Sequence, residues 1–177
     1  MRIAIFGLPG SGKSTFAAHL AQRLALPLFH LDKYFFTADW QKVGDPIFTQ
    51  RHEALIQQEQ WIIDGNANAT RYLEPRFQRA DIIIFFKLPR LICTWRVLKR
   101  RFIKNRSLND RAPDCPERVS WFLIKYLWTF TTKREARILQ LLEQLPDKRI
   151  YHLTSDAQAR QLLEKLSCFS VSNSITA

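Results

Sequence analysis

The chain is short of the residues that mark several common protein classes. Its 177 residues include three cysteines, Cys93, Cys115 and Cys168. An odd count without CxxC spacing argues against a disulfide framework and for reduced thiols. The four histidines are scattered, so a structural zinc site is not expected. Long apolar runs are missing: "IIIFF" (82–86) is far too short to cross a bilayer. The apolar run at the N-terminus stops at Gly7, too early for the core of a secretory leader. These absences predict a cytoplasmic protein with no membrane partner. Acidic residues are scarce as well, 16 against 27 Lys and Arg, and the net charge of +11 predicts an anionic partner without naming it. Internal repeats, low-complexity tracts and obvious linkers are absent. One domain is therefore expected over residues 1–168, with 169–177 as a frayed tail.

What is present is ordinary for a globular chain. Apolar residues make up 46% and charged residues 24%, enough to bury a core and too little charge for large-scale disorder. "RIAIF" (2–6), "PLFHL" (27–31), "WIIDG" (61–65), "DIIIFFKLP" (81–89) and "RIYHL" (149–153) read as strands. The third and fourth are continuously apolar, as strands covered on both faces are. Phe16, Leu20 and Leu24 recur at helical spacing in 13–25. Further helices are expected over 48–58, from about Pro89 onward, over most of 117–145, and over 157–166. Alternating strands and helices predict an α/β domain with a parallel sheet. "SWFLIKYLWTF" (120–130) would be apolar on every face if helical, which suits core packing, a dimer contact or a stacking wall. Monomer and homodimer both remain open.

Directly after the first strand stands "GLPGSGKS" (7–14), which fits G-x-x-x-x-G-K-[ST]. Glycines at this spacing let successive backbone N–H groups turn inward toward phosphate oxygens. The following helix adds its unpaired N–H groups and dipole. The expected nucleotide-binding residues are Gly7, Leu8, Pro9, Gly10, Ser11, Gly12, Lys13, Ser14 and Thr15. Lys13 would reach the β- and γ-phosphates of ATP, and the Ser14 hydroxyl would bind Mg²⁺.

Two carboxylates end apolar strands. Asp64 is expected to help hold Mg²⁺. Asp32 would share its crevice if the second and third strands are neighbours, and it is either a base for an acceptor hydroxyl or a helix cap. The run "TWRVLKRRFIKNR" (94–106) follows the fourth strand. Arg96 and Arg100 are four apart and share a helical face, where they can cover a nucleotide; Arg111, Arg134 and Arg137 are candidates to join them. Lys99, Arg101 and Lys104 are expected to face water. The assigned catalytic set is thus Lys13, Asp32, Arg96 and Arg100, with Arg96 also on the nucleotide.

The order of these pieces, from the phosphate loop through "HLD" (30–32), "WIIDGN" (61–66) and "ADIIIFFKLPRLICTWRVLKRR" (80–101) to "DCPERVSWF" (114–122), resembles the nucleoside/nucleotide and shikimate kinase group of P-loop proteins. It is most similar to the bacterial adenylate kinase-related set known as DNA topology modulation proteins. The resemblance covers most of residues 1–165. It implies a three-layer P-loop fold with a five-stranded parallel sheet, a substrate-binding insertion at about 33–60 and a helical lid at about 100–135. "HLDKYFF" replaces the "TGD" of adenylate kinases and looks more like the "LD-x-FY" of uridine kinases, which tells against AMP as the acceptor. The activity implied is transfer of the ATP γ-phosphate to a small-molecule acceptor. The alternative is a nucleotide-regulated protein that binds nucleic acid and affects DNA topology, although no helix-turn-helix, zinc finger or RNA-binding aromatic signature is present. A GTPase would need N-K-x-D or D-x-x-G motifs, and neither occurs.

Overall fold

The computed structural model describes residues 1–66, 70–100, 121–129 and 135–174. Five strands, β1 (Arg2–Gly7), β2 (Leu28–His30), β3 (Trp61–Asp64), β4 (Ile82–Phe86) and β5 (Arg149–Leu153), form one parallel sheet in the order β2–β3–β1–β4–β5. The central strands β3 and β4 are buried at every residue, and β1 at all but its first. This is why they carry unbroken apolar runs rather than an alternating pattern. The edge strand β5 keeps Arg149 and His152 exposed.

Helices cover both faces. The first, α1 (Lys13–Leu24), buries Phe16, Ala17, Leu20 and Leu24 and packs against α8 (Asp156–Ser174). Phe16 meets Phe86 edge-on at 5.3 Å. On the opposite face, α4 (Thr70–Arg79) sends Phe77 against Phe6, which in turn stacks on Phe85 at 4.6 Å. Next to α4 lie α3 (Asp45–Ile56) and α7 (Glu135–Glu143). The short α2 (Leu31–Phe35) follows β2. After β4 come α5 (Arg90–Arg100) and α6 (Trp121–Thr129), which pack on each other. This is the expected three-layer arrangement around a five-stranded parallel sheet.

Several expectations need correction. β2 stops at His30, so Asp32 sits in the first turn of α2 rather than at a strand end, and the N-cap position belongs to His30. Asp32 is therefore not a cap. The chain over 169–174, expected to fray, continues α8. α6 is not buried all round: Leu127 is buried and Leu123 and Tyr126 half-buried, but Trp128 is 49% exposed. α4 was not anticipated, because Pro75 stands inside it and removes one helical hydrogen bond. Most of the expected lid, residues 101–120 and 130–134 with Arg101, Lys104, Arg111 and Arg134, lies outside the described residues.

The insertion between β2 and β3 packs through aromatic contacts. Phe48 meets Phe35 at 4.8 Å and Tyr72 at 4.7 Å, both nearly edge-on. His52 is sealed between the same rings at 1% exposure, with its Nε2 unpartnered. Burial, joined by the nearby Arg76 charge, pushes its imidazole down to about 3.

His52 thus stays neutral in the folded chain while the unfolded chain protonates near pH 6.5. Above that pH the residue contributes no pH dependence. Below it the unfolded state takes up the proton first, and stability falls by about 1.4 kcal/mol per pH unit. His52→Leu should remove roughly 2 kcal/mol of the stability difference between pH 7 and pH 5, as read from urea unfolding of the two proteins side by side.

Candidate active site

The loop from β1 to α1 lies flush against β4 and α5. A Cβ on Gly7 would come within 2.4 Å of the Phe86 carbonyl oxygen, and one on Gly10 within 2.5 Å of the Cys93 carbonyl oxygen. Both have positive φ, 145° and 78°, so only glycine suits either place. This close approach ties the loop to the fourth strand and to the helix after it. The loop residues Leu8, Gly10 and Ser11 are buried; Pro9, Gly12, Lys13, Ser14 and Thr15 are half-buried.

Gly12 occupies the N-cap position of α1 at φ 90°, with no side chain bonded to the helix start and no acidic residue in the first turn. The opening N–H groups of α1 therefore lack a capping side chain, and the dipole's positive end faces the loop. A Cβ on Gly12 would meet only one atom within range, Nη1 of Arg96 at 4.0 Å. The cradle is open where a phosphate chain would lie.

Asp64 reaches this cradle from the tip of β3. It is 3% exposed. His30, its register partner on β2, donates Nδ1–H to Asp64 Oδ2 at 3.0 Å. Burial raises the Asp64 carboxyl, but the His30 hydrogen bond, the Lys13 charge and the nearby Ser14 hydroxyl outweigh it and hold the group below the usual carboxylate range. Asp64 is therefore ionised at neutral pH. Its second oxygen, Oδ1, is buried without a hydrogen-bond partner. An orphaned carboxylate oxygen close to a serine hydroxyl and a loop built for phosphates suits a hard divalent cation that takes oxygen ligands. Among the described residues no cluster of three or more His, Cys, Asp or Glu gathers, so the remaining ligands would be phosphate oxygens and water.

Arg96 comes to the loop from α5. Its guanidinium forks onto Asp156, the first residue of α8, at 3.1 and 2.5 Å. That pairing lowers the Asp156 carboxyl and raises Arg96. Arg96 is thus beside the loop as expected, but it is engaged by a carboxylate that the sequence reading did not identify. The backbone of Arg100 ends α5, and its side chain lies outside the described set. Lys99 is exposed, with Nζ 4.7 Å from the Trp95 ring centre, and Arg137 is exposed on α7. Asp32 is half-buried two residues after His30, at the same C-terminal edge of the sheet as Asp64. Cys93 is buried under the loop, and burial pushes its thiol up, so it is a packing residue.

Asn66 was also missed. Its Nδ2 donates to the Gly7 carbonyl at 2.8 Å and to Tyr126 Oη of α6 at 3.3 Å, while its Oδ1 accepts from the Gly7 N–H at 3.1 Å. One amide therefore fixes both backbone groups of the residue that opens the phosphate loop. The signal that marked Asp64, a polar side chain just past a buried strand, also marks His30 and Asn66.

No protein-family model matches the chain, and neither does any curated protein. Solved structures do match. Shikimate kinase from Acinetobacter baumannii in complex with shikimate superposes with a TM-score of 0.63 at 19% identity, covering 97% of this chain and 93% of that one. Shikimate kinase from Aquifex aeolicus gives 0.57 at 17% identity, with all of both chains covered (100% and 100%). A gluconokinase from Sinorhizobium meliloti gives 0.54 at 15%, covering 99% and 97%. At these identities the likeness is one of fold.

Asn66→Ala should strand two backbone groups of Gly7. The expected loss is about 1–3 kcal/mol in urea unfolding, since part-buried donors and acceptors left unpaired carry their desolvation penalty.

Proposed function

We propose that this chain is an ATP-dependent phosphotransferase that moves the γ-phosphate to a hydroxyl or phosphate group of a small molecule. The observation that carries this reading is the pairing of an uncapped phosphate loop with the buried, ionised Asp64, whose Oδ1 has no partner. The kinases that share the fold support it. The loop N–H groups and Lys13 bind the phosphate chain. Asp64 Oδ1, with the Ser14 hydroxyl, would hold Mg²⁺, which when bound neutralises charge on the phosphate oxygens. His30 fixes the orientation of Asp64.

For a hydroxyl acceptor the balance is simple. The acceptor oxygen forms a bond to the γ-phosphorus, the bond from that phosphorus to the bridging oxygen breaks, and ADP leaves. The hydroxyl proton passes to the Asp32 carboxylate, which acts as general base. Arg96 leaves Asp156 to meet negative charge on the transferring group, and Arg100, from the next turn of the same helix, adds to it. The rest is positioning.

Lys13→Ala should retain the fold and lose most ATP turnover, because the lysine lies outside the core; a folded mutant with unchanged turnover would sink this reading. Asp32→Asn keeps shape and removes the base. With a hydroxyl acceptor, kcat should fall by roughly 10²–10⁴ while ATP affinity holds. A rate within a few-fold of wild type would remove Asp32 from the chemistry. The acceptor itself is sought by thermal shift with nucleosides, nucleotides and polyols in the presence of a non-hydrolysable ATP analogue.

A further inference from the structure

Arg76 is 0% exposed, and its Nε, Nη1 and Nη2 are all buried without a hydrogen-bond partner. No other side chain among the described residues combines full burial, a positive charge and unused hydrogen-bonding groups on this scale. Arginine carries five donors in a planar fork and does not shed its proton in proteins. Leaving such a group sealed and unpaired is among the most unfavourable arrangements a fold can contain.

The surroundings do not resolve the imbalance. Arg76 lies near enough to His52 of α3 and Asp64 of β3 for charge to act between them. Its guanidinium carbon lies 5.8 Å from the Phe77 ring centre, which supplies a π-face but no acceptor. On the α3 side stands His52, neutral and with its Nε2 also unpartnered. Burial lowers the Arg76 guanidinium to about 10, and only the charge of Asp64 works against this. That carboxylate makes no hydrogen bond to Arg76: His30 bonds Oδ2, and Oδ1 has no partner. Two buried or half-buried cations, Lys13 and Arg76, thus face one carboxylate. The ATP phosphates would satisfy Lys13. Among the described residues none hydrogen-bonds Arg76.

We propose that Arg76 is the anchor of a buried oxyanion subsite on the acceptor side of the active site, and that the acceptor carries a carboxylate or phosphate which this guanidinium grips. This rests on the phosphotransferase reading and narrows it: neutral nucleosides and sugars are excluded as preferred acceptors. The place is consistent with the fold. Arg76 lies close enough to Asp64 to feel its charge, and Asp64 is paired in register with His30 of β2, two residues before Asp32. Because the nitrogens are shut off from solvent, the anion enters only when α3 moves away from α4. The contacts to be released are the Tyr72 ring against Phe48 and His52, the Arg79 bond to the Ile56 carbonyl at 2.9 Å, the Thr49–Tyr72 contact at 3.2 Å and the exposed Arg71–Asp45 bridge at 2.9 Å.

The test uses the full chain and keeps the two readings apart. Wild-type protein is first saturated with magnesium and a non-hydrolysable ATP analogue, which fills the phosphate loop. Inorganic phosphate, succinate or sodium chloride at matched ionic strength is then titrated in a thermal-shift assay. The expected result is a saturable rise in Tm with phosphate or succinate, roughly 5–10 °C at a hundredfold excess over Kd, and none with chloride. Whichever of the two anions binds tells phosphate from carboxylate acceptors. In Arg76→Met, which keeps most of the volume and removes the charge, the response should vanish while the shift from the nucleotide analogue stays within about 1 °C of wild type. Arg76→Lys keeps the charge without the fork and should bind the anion about tenfold more weakly. If wild type shows no saturable response, or if either variant retains the wild-type Kd, the subsite does not exist. Failure of the nucleotide analogue to stabilise wild type would instead overturn the kinase reading, and the comparison of wild type with the Arg76 variants would still report on the anion.

Discussion

A carboxylate at 3% exposure, set at the tip of a strand inside a parallel sheet, governs the arrangement of this site. Asp64 can remain ionised there only because other groups hold it so. His30 supplies a hydrogen bond from the neighbouring strand, in register with it, and Lys13 and Ser14 approach from the first turn of α1. These partners come from β2 and from the loop after β1, so the sheet order β2–β3–β1 is what makes the carboxylate tenable. The same order leaves Oδ1 uncommitted. Breaking the parallel register between β2 and β3 by one residue would turn His30 to the other face of the sheet and leave Asp64 short of its strongest partner.

The phosphate loop depends on a different constraint, steric rather than electrostatic. Gly7 and Gly10 touch the backbone of Phe86 and Cys93, so the loop is seated on β4 and on the first turn of α5. Asn66 holds the loop from the other side and connects it to Tyr126 of α6. Through Cys93 of α5, and through Asn66 to Tyr126 of α6, the loop is thus connected to both of these helices that follow β4. That coupling gives α5 and α6 a route to respond to phosphates, which a loop standing free of its neighbours would not have.

The central strands and the phosphate loop were legible because each follows from one strong rule. Continuous burial demands unbroken apolar runs, and phosphate cradling demands glycine, lysine and serine at fixed spacing. Asp64 was legible as a charge ending an apolar run. The partners that define its state were harder to see. His30 sits in the same kind of place but reads as an ordinary strand residue until β2 is known to lie beside β3. Asp156 is far from Arg96 in sequence, and only the fold joins them. α4 hides behind Pro75, and its three arginines look alike in the sequence. In the fold they diverge. Arg71 pairs with Asp45 at the surface, Arg79 bonds the carbonyls of Ile56 and Gln57, and Arg76 is buried with no hydrogen-bond partner among the described residues. Helical spacing places Arg76 on the buried stripe with Tyr72, Leu73, Phe77 and Ala80, but Pro75 argues against reading a helix there from the sequence.

The same principle governs the basic run after β4. Charge count suggests one extended cationic surface, yet α5 sorts its residues by face. Cys93 and Val97 point under Gly10 and are buried. Arg96 lies beside Gly12 and is held by Asp156. Leu91, Trp95 and Leu98 face outward with Lys99, whose ammonium rests over the Trp95 ring. A cation held by a bidentate carboxylate beside the loop does not act as a diffuse counter-charge. An incoming anion would have to compete with Asp156 for it. Lys99 on the outer face is open to water and to screening by salt. The run therefore contains two kinds of charge with different physical behaviour. Of the two, Arg96 is the one that lies beside the loop after β1.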